Sequence, residues 1–385
     1  MKIVSWQYLL SDHQVFTWRE MQKRGHMVQF VLGKTKDDNR SQQGWSESNL
    51  ESLTTNPLPL QGWWKTGQEI ILKNQDAIHI FSGFWADKRF IFLILFALGK
   101  GIKTMLMNES YTEVQTGYLK KENGFKSAIK VQMRPLFYKT AILMCKLASK
   151  NNPIRVLSIS QLAEKQFSKA GVQKNNIFPW GYFIPKNEFI KGNVTKSKSL
   201  NLIYLGNLLP IKGLDLAINA IEEINQLGVE PIIKLDVYGY GDPSEWIPST
   251  SSGICHKGVI PFGHTQEVLA KYDYLILPSR YDGWGVVVNE ALLQGVPVIL
   301  SDKVGAKTLI DNKGGGVIFK SEDKEDLIRI LNRLITEPNK QKEYAKQAAL
   351  IAPKLLPSEA AIYLEEILDY TFQKTGQRPI PNWER

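Results

Sequence analysis

Two carboxylates, Asp282 and Glu290, stand eight positions apart in "SRYDGWGVVVNEALLQGVPVI" (Ser279 to Ile299). The apolar run "YLILPS" reads as a buried strand. It feeds the loop "RYDGWG", whose Gly283 and Gly285 expose backbone N–H groups. A helix is predicted from about Gly285 to Gln294, stopped by Gly295. Glu290 then sits about 7 Å along that helix, at 1.5 Å per residue. Its neighbours Val286, Val287, Val288, Leu292 and Leu293 are apolar. A carboxylate among them is costly without partners and calls for hydroxyl or N–H donors. A nucleotide ribose offers two hydroxyls. Asp282, on the loop before the helix, has its charge favoured by the helix N-terminus. The plainer alternative is a helix-start acid and a surface glutamate.

Two further stretches point the same way. In "YLGNLLPIKGLDLAI" a strand ends at Gly206 and a helix begins near Gly213, with Lys212 beside it. A cation next to free helix N–H groups makes a phosphate cradle, although an exposed loop lysine would look the same. In "DVYGYGDPSEW" Gly239 and Gly241 follow an apolar strand and would let a ligand approach the backbone; a tight turn is the alternative. The spacing is not that of a dinucleotide fingerprint, and no matching acid follows about 20 residues on. The five histidines, His13, His26, His79, His256 and His264, have no metal-ligand spacing. Two cysteines, Cys145 and Cys255, exclude a disulfide framework or a cysteine zinc cluster and fit a reducing compartment.

The elements that must position these residues alternate. "KIVSW", "HQVFTWREMQKRG" and "HMVQFVL" read as strand, helix, strand; so do the runs around "DAIHIF", "KTMLMN", "IRVLSIS" and "NNIFPW". After the polar segment "KGNVTKSKS" the alternation restarts with "LNLIYLG", "IIKLDVYG", "YLILPS", "VPVIL" and "GVIF", and helices follow from Lys324. Strand–helix alternation implies parallel sheets with crossover helices, with ligands at the carboxyl ends of the strands. The expected fold is α/β: two parallel-sheet domains with a helical C-terminus. Residues 1–190 form the first, 191–199 the linker and 200–360 the second, with 361–385 a C-terminal helix.

The chain has 385 residues, 43% of them hydrophobic, and a net charge of +10. The N-terminal "MKIVSWQYLL" reads as a first strand rather than a signal peptide. The longest apolar run, "FIFLILFAL", is far short of the roughly 20 residues that span a bilayer. Positive charge gathers between Lys120 and Lys150, with eight Lys or Arg against the single acid Glu122. Apolar residues such as Met133, Leu136 and Leu143 are interspersed. Such a segment suits an anionic membrane surface, or is a solvated helix with its apolar side in the core. For nucleic acid the sequence offers no helix-turn-helix, zinc finger or aromatic RNA-binding strand.

In this order, "GNLLPIKG", "YGYGDP" and "DGWGVVVNE" resemble the retaining nucleotide-sugar glycosyltransferases of family four, the group 1 glycosyl transferases with the GT-B fold. The resemblance covers roughly Arg155 to Phe319, and it implies two Rossmann-like domains facing each other across a cleft, with the C-terminal helix crossing back to the first. It implies transfer of a sugar, with retention, from a UDP- or GDP-sugar to a glycan or lipid-linked acceptor, in bacterial surface polysaccharide or glycoconjugate synthesis. It implies that Glu290 holds the ribose and Asp282 the transferred sugar. Backbone around Gly283, Trp284 and Gly285 would meet the sugar or diphosphate, as would Gly206 and Gly239, and Lys212 would neutralise the diphosphate. The base would lie on backbone at Gly258 to Ile260. The family's arginine is Asn207 here, so Arg280 becomes a candidate helper for Lys212, and the first acid is Asp rather than Glu. On the acceptor side the candidates are Asp12, His13, Asn108 and Ser110, with Glu109 a candidate catalytic group. Neither a metal nor a cofactor is implied. The implied place is cytoplasmic, peripheral on the inner face of the membrane through residues 120–150. Competing readings are an epimerase or phosphorylase on the same fold and a degenerate transferase acting as a binding or scaffold protein.

Overall fold

The computed structural model describes residues 1–10, 12–34, 53–84, 86–113, 124–150, 152–188, 199–228, 230–249, 251, 253–261 and 263–385; for 12, 124–128 and 130 it describes only the backbone. The expected linker therefore lies outside the described residues, apart from Ser199.

The strands of the first sheet are β1 (Lys2–Gln7), β2 (Met27–Leu32), β3 (Thr54–Pro57), β4 (Ile78–Ser82), β5 (Thr104–Glu109), β6 (Arg155–Ile159) and β7 (Ile177–Trp180). They run parallel in the order β3-β2-β1-β4-β5-β6-β7. The second sheet holds β8 (Leu200–Leu205), β9 (Ile233–Tyr238), β10 (Ile254–His256), β11 (Tyr274–Leu277), β12 (Val298–Ser301) and β13 (Gly316–Phe319). Its order is β10-β9-β8-β11-β12-β13, again parallel. Helices cover both faces, so central strands such as β4, β11 and β12 are buried along their whole length. The alternation reading contains neither β3 nor β10. Both are short edge strands, and β3, the polar one, ends in Pro57, which an edge tolerates.

Each sheet has one switch point where the strand order reverses, between β1 and β4 in the first and between β8 and β11 in the second. Loops on either side of such a point diverge and leave a crevice. In the second sheet these are the loop carrying Lys212 and the loop carrying Asp282.

Helix α1 (Asp12–Lys23) packs on one face of the first sheet, and α2 (Trp63–Lys73), α3 (Arg89–Gly99) and α4 (Gly124–Ala148) pack side by side on the other. Beyond them come α5 (Gln161–Lys169), α6 (Leu214–Gln226), α7 (Thr265–Leu269), α8 (Val286–Leu293), α9 (Lys324–Thr336), α10 (Asn339–Ile351) and α11 (Pro357–Leu368). Helix α11 crosses back onto the first domain. Its Glu365 carboxylate accepts hydrogen bonds from Arg24 and from His26 Nε2, the latter at 3.1 Å. Tyr363 donates its hydroxyl to the Pro179 carbonyl at 3.0 Å and stacks on Trp180 at 5.9 Å.

The C-terminal tail completes the hinge. Trp383 is 2% exposed and stacks on Phe183 at 5.9 Å, with edge contacts to Trp284 at 6.4 Å and Tyr363 at 6.2 Å. One tail residue thus joins the hinge segment, the second domain and the crossing helix. Trp383→Ala is expected to cost about 3–5 kcal/mol, the usual toll of emptying a buried aromatic site. It would be read as a lower urea midpoint, and an unchanged midpoint would contradict the bracing role.

Candidate functional site

A cleft of about 780 Å³ opens between the two domains at the carboxyl ends of both sheets. From the second domain its lining includes Gly206, Asn207, Lys212, Gly239, Ile260, Asp282, Trp284, Gly285 and Glu290. From the first domain and hinge come His13, Phe16, Glu109, Tyr182 and Ile184.

Lys212 closes a short 3-10 turn, Pro210–Lys212, and Gly213 follows in the left-handed conformation at φ 68°. A side chain at Gly213 would put its Cβ 2.1 Å from the Pro278 carbonyl oxygen, so only glycine lets the two loops approach this closely. The Lys212 ammonium donates to Asp282 Oδ2 at 2.7 Å. Asp282 itself is fixed by its backbone: its N–H donates to the Lys303 carbonyl at 3.1 Å, and its carbonyl accepts from Gly305 N–H at 3.0 Å. The aspartate thus stands at the mouth of α8 with its charge already met by a lysine.

Arg280 does not reach the cleft as a second diphosphate donor. Its guanidinium is buried, bonded to both Asp215 oxygens at 2.7 and 2.6 Å and to the Pro210 carbonyl at 2.5 Å, and paired with Glu322. The planar fork suits this bidentate task. Arg280 is a positioning residue that bolts the Lys212 turn to the start of the Asp282 loop.

Glu290 is half-buried on α8, and its carboxyl is pushed up to about 8 by burial, against a smaller opposing effect from its hydrogen bond with Thr265. Near neutral pH it is held largely as the neutral acid. The folded value lies above the unfolded one of 4.5, so the proton stays on the folded chain as pH rises from 4.5 towards 8 while the unfolded chain loses it. Stability is therefore full below the lower value and falls as pH climbs through the upper one. Glu290→Gln removes this slope. The variant should gain stability over the wild-type chain between pH 5 and pH 8 in urea melts, whereas a constant difference at the two pH values would contradict the burial effect.

Several candidates stand elsewhere. Asn108 is buried beneath the cleft, accepting from Gly83 N–H at 3.1 Å and donating to the Tyr138 hydroxyl at 3.3 Å. It supports the end of β5 rather than an acceptor. Ser110 is buried at a contact between the domains: its carbonyl accepts from the Tyr281 hydroxyl, and its own hydroxyl lies 3.3 Å from that hydroxyl. Gly258 stands behind the wall, its carbonyl holding Gly239 N–H at 2.9 Å, while Ile260 and Val259 line the cleft. Trp284 borders the cleft, but its indole is buried, donating to Asn289 Oδ1 at 2.8 Å. Gly283 faces the other domain, where a Cβ would lie 2.5 Å from the Glu109 carboxylate. The side chain of Asp12 lies outside the described residues.

Glu109 projects from the end of β5 into the cleft and accepts the Tyr182 hydroxyl. His13 meets the Tyr182 ring edge-on at 4.7 Å. Tyr182 was not among the sequence candidates, nor was Gln266. Gln266 accepts from Asn187 N–H at 2.9 Å and donates to the Pro185 carbonyl at 2.9 Å, pinning the chain where it leaves the hinge. The available signal was the aromatic cluster "PWGYF" just before the polar segment.

Residues 185–350 match the family described as glycosyl transferases group 1. This part of the chain is similar to that family. The matched segment contains Lys212, Asp282 and Glu290, and so the second-domain wall of the cleft. An uncharacterized glycosyltransferase of Methanocaldococcus jannaschii is 24% identical over 180 residues, 44% of this chain and 45% of that protein. A Campylobacter jejuni N,N'-diacetylbacillosaminyl-diphospho-undecaprenol alpha-1,3-N-acetylgalactosaminyltransferase is 29% identical over 116 residues, 30% of this chain and 29% of that protein. The chain spans about half the length of the first of the curated relatives it matches. Among solved structures, Anabaena HepE in complex with UDP-glucose superposes with a TM-score of 0.64 at 14% identity, covering 96% of this chain and 99% of that one. The two Rossmann-like domains with a helical C-terminus are thus the GT-B fold.

Proposed function

We propose that the protein is a retaining glycosyltransferase that moves a sugar from a nucleotide-sugar to a hydroxyl of a glycan or lipid-linked acceptor in bacterial surface polysaccharide or glycoconjugate synthesis. The observation that carries this reading is one cleft holding a ribose-type carboxyl, a diphosphate-type lysine and a sugar-type carboxylate from the second domain, faced by Glu109 from the first. HepE, of the same fold, binds UDP-glucose, and several similar proteins are named for lipid-linked or polysaccharide acceptors.

The residues divide the work. Glu290 accepts from the ribose hydroxyls, and Val259 and Ile260 flank the base. Lys212 and the amino end of α8, at Gly285 to Val287, meet the diphosphate, where the helix dipole favours negative charge. The bond between the sugar's anomeric carbon and the diphosphate oxygen breaks, and the pair of electrons leaves with the nucleoside diphosphate. Lys212 stabilises that growing charge. The acceptor oxygen bonds to the same face of the anomeric carbon, and its proton passes to the departing phosphate. Asp282 orients the sugar once Lys212 turns to the phosphate. Glu109, steadied by Tyr182, orients the acceptor hydroxyl.

Incubation with UDP-, GDP- and ADP-sugars should release nucleotide with one of them. Lys212→Ala should lower kcat about 100- to 1,000-fold, the usual effect of removing one group that stabilises developing negative charge. Glu290→Ala should instead raise the Kd for the free nucleotide. Asn207, standing where the family carries arginine, favours a second reading, a nucleotide-binding scaffold without turnover. Nucleotide binding with no release from any donor would decide for that reading.

A further inference from the structure

Tyr240 stands open on the wall of the cleft. It is 51% exposed, although it lines the cleft and not the outer surface. Among the described residues its ring meets no other ring and its hydroxyl makes no hydrogen bond. Val259, 42% exposed, lines the same wall. Eighteen large apolar side chains are exposed among the described residues, and these two are the ones that belong to the cleft. Apolar surface left open within a substrate cleft is surface that a ligand can cover.

The backbone beneath them is fixed. The Tyr240 carbonyl accepts from Leu208 N–H at 2.8 Å. A side chain at Gly239 would run its Cβ into the Gly206 carbonyl, and one at Gly241 would put its Cβ 2.6 Å from the Leu208 Cβ. The loop after β9 is thus pressed onto the loop after β8, and Tyr240 sits between the two points of contact. The same loop is laced to the one after β10. Lys257 N–H donates to the Val237 carbonyl at 2.9 Å, Gly239 N–H to the Gly258 carbonyl at 2.9 Å, and His256 Nε2 to the Gly239 carbonyl at 3.1 Å. Tyr240 follows Gly239 and Val259 follows Gly258, so the lacing sets the two exposed residues on adjoining loops of one wall.

The polar side chains nearby already have work. Thr265 bonds to Glu290, and Gln266 is held by Asn187, Pro185 and Gln294. A planar heterocycle laid on this wall meets an aromatic ring and a valine. Stacking is the attraction that such a wall offers, and every nucleobase has a π-face to offer in return.

We propose that Tyr240 is a nucleobase-stacking residue, and that with Val259 it forms the shelf on which the base of the donor lies. The proposal rests on the nucleotide-sugar reading above, and it adds a residue on which affinity for the base depends.

The test is calorimetric binding of UDP, GDP, ADP and pyrophosphate to the full chain, to Tyr240→Ala and to Tyr240→Phe. The wild-type chain should bind at least one of the nucleotides. Tyr240→Ala should bind that nucleotide at least about tenfold less tightly, the usual effect of removing one stacking ring. Its affinity for pyrophosphate, which has no base, should match that of the wild-type chain. Tyr240→Phe keeps the ring and should restore the nucleotide affinity. Thermal melts check that both variants fold. Undiminished nucleotide binding by Tyr240→Ala would overturn the proposal and leave the nucleotide-sugar reading standing. Equal losses for nucleotide and pyrophosphate would also overturn it, since the substitution would then act through the loop and not the base. So would a Tyr240→Phe variant as weak as Tyr240→Ala, which would assign the effect to the hydroxyl. A wild-type chain that binds none of the three nucleotides would overturn the reading itself, and the shelf with it.

Discussion

The Lys212 ammonium and the Asp282 carboxylate meet at 2.7 Å in the crevice where the second sheet reverses its strand order. Each comes from a loop that ends a central strand, and each would be exposed to the cleft without the other. Partly solvated ion pairs of this kind are weak, typically worth about 0–1 kcal/mol. That weakness matters for function. In the proposed reaction a diphosphate, with more than one negative charge, would displace the aspartate as the lysine's partner at little expense. The pair would hold Lys212 across the cleft beforehand and free Asp282 for the sugar when the phosphate arrives.

The pair depends in turn on Arg280, which takes no part in the cleft chemistry. By gripping Asp215 and the Pro210 carbonyl it sets the spacing of the two loops, and Gly213 makes that spacing sterically possible. The first domain meets this unit at Glu109, beside Gly283 and Tyr182. The hinge behind it is packed by Trp284, Phe183 and Trp383. A structure with so many aromatic contacts at its hinge holds the two walls in a defined relation.

The fold was legible in the sequence because buried parallel strands are unbroken apolar runs, and the crossover helices between them are amphipathic. That Lys212, the glycine loops and Glu290 share one cleft was legible because a lysine before a helix, glycine loops and a carboxyl among valines each imply a partner. Arg280 was misread because a cation in a glycine loop looks the same whether it faces a phosphate or two carboxylates; only the fold brings Asp215 and Glu322 to it. Asn108 and Ser110 were misplaced for a related reason. Alternate residues at a strand end point to opposite sides, so of three neighbouring polar residues only Glu109 enters the cleft. Tyr182 and Trp383 escaped notice because their importance comes from contacts made across long stretches of chain. Met133, Leu136 and Leu143 of α4, all exposed, were visible as apolar residues, but periodicity alone does not say which face of a helix is turned outward.

A crystal structure with a bound nucleoside diphosphate tests the account most directly. The account predicts that the Lys212 ammonium leaves Asp282 for a phosphate oxygen and that the Glu290 carboxyl bonds to the ribose hydroxyls. A nucleotide bound with Lys212 still on Asp282, or with its ribose away from Glu290, would contradict it.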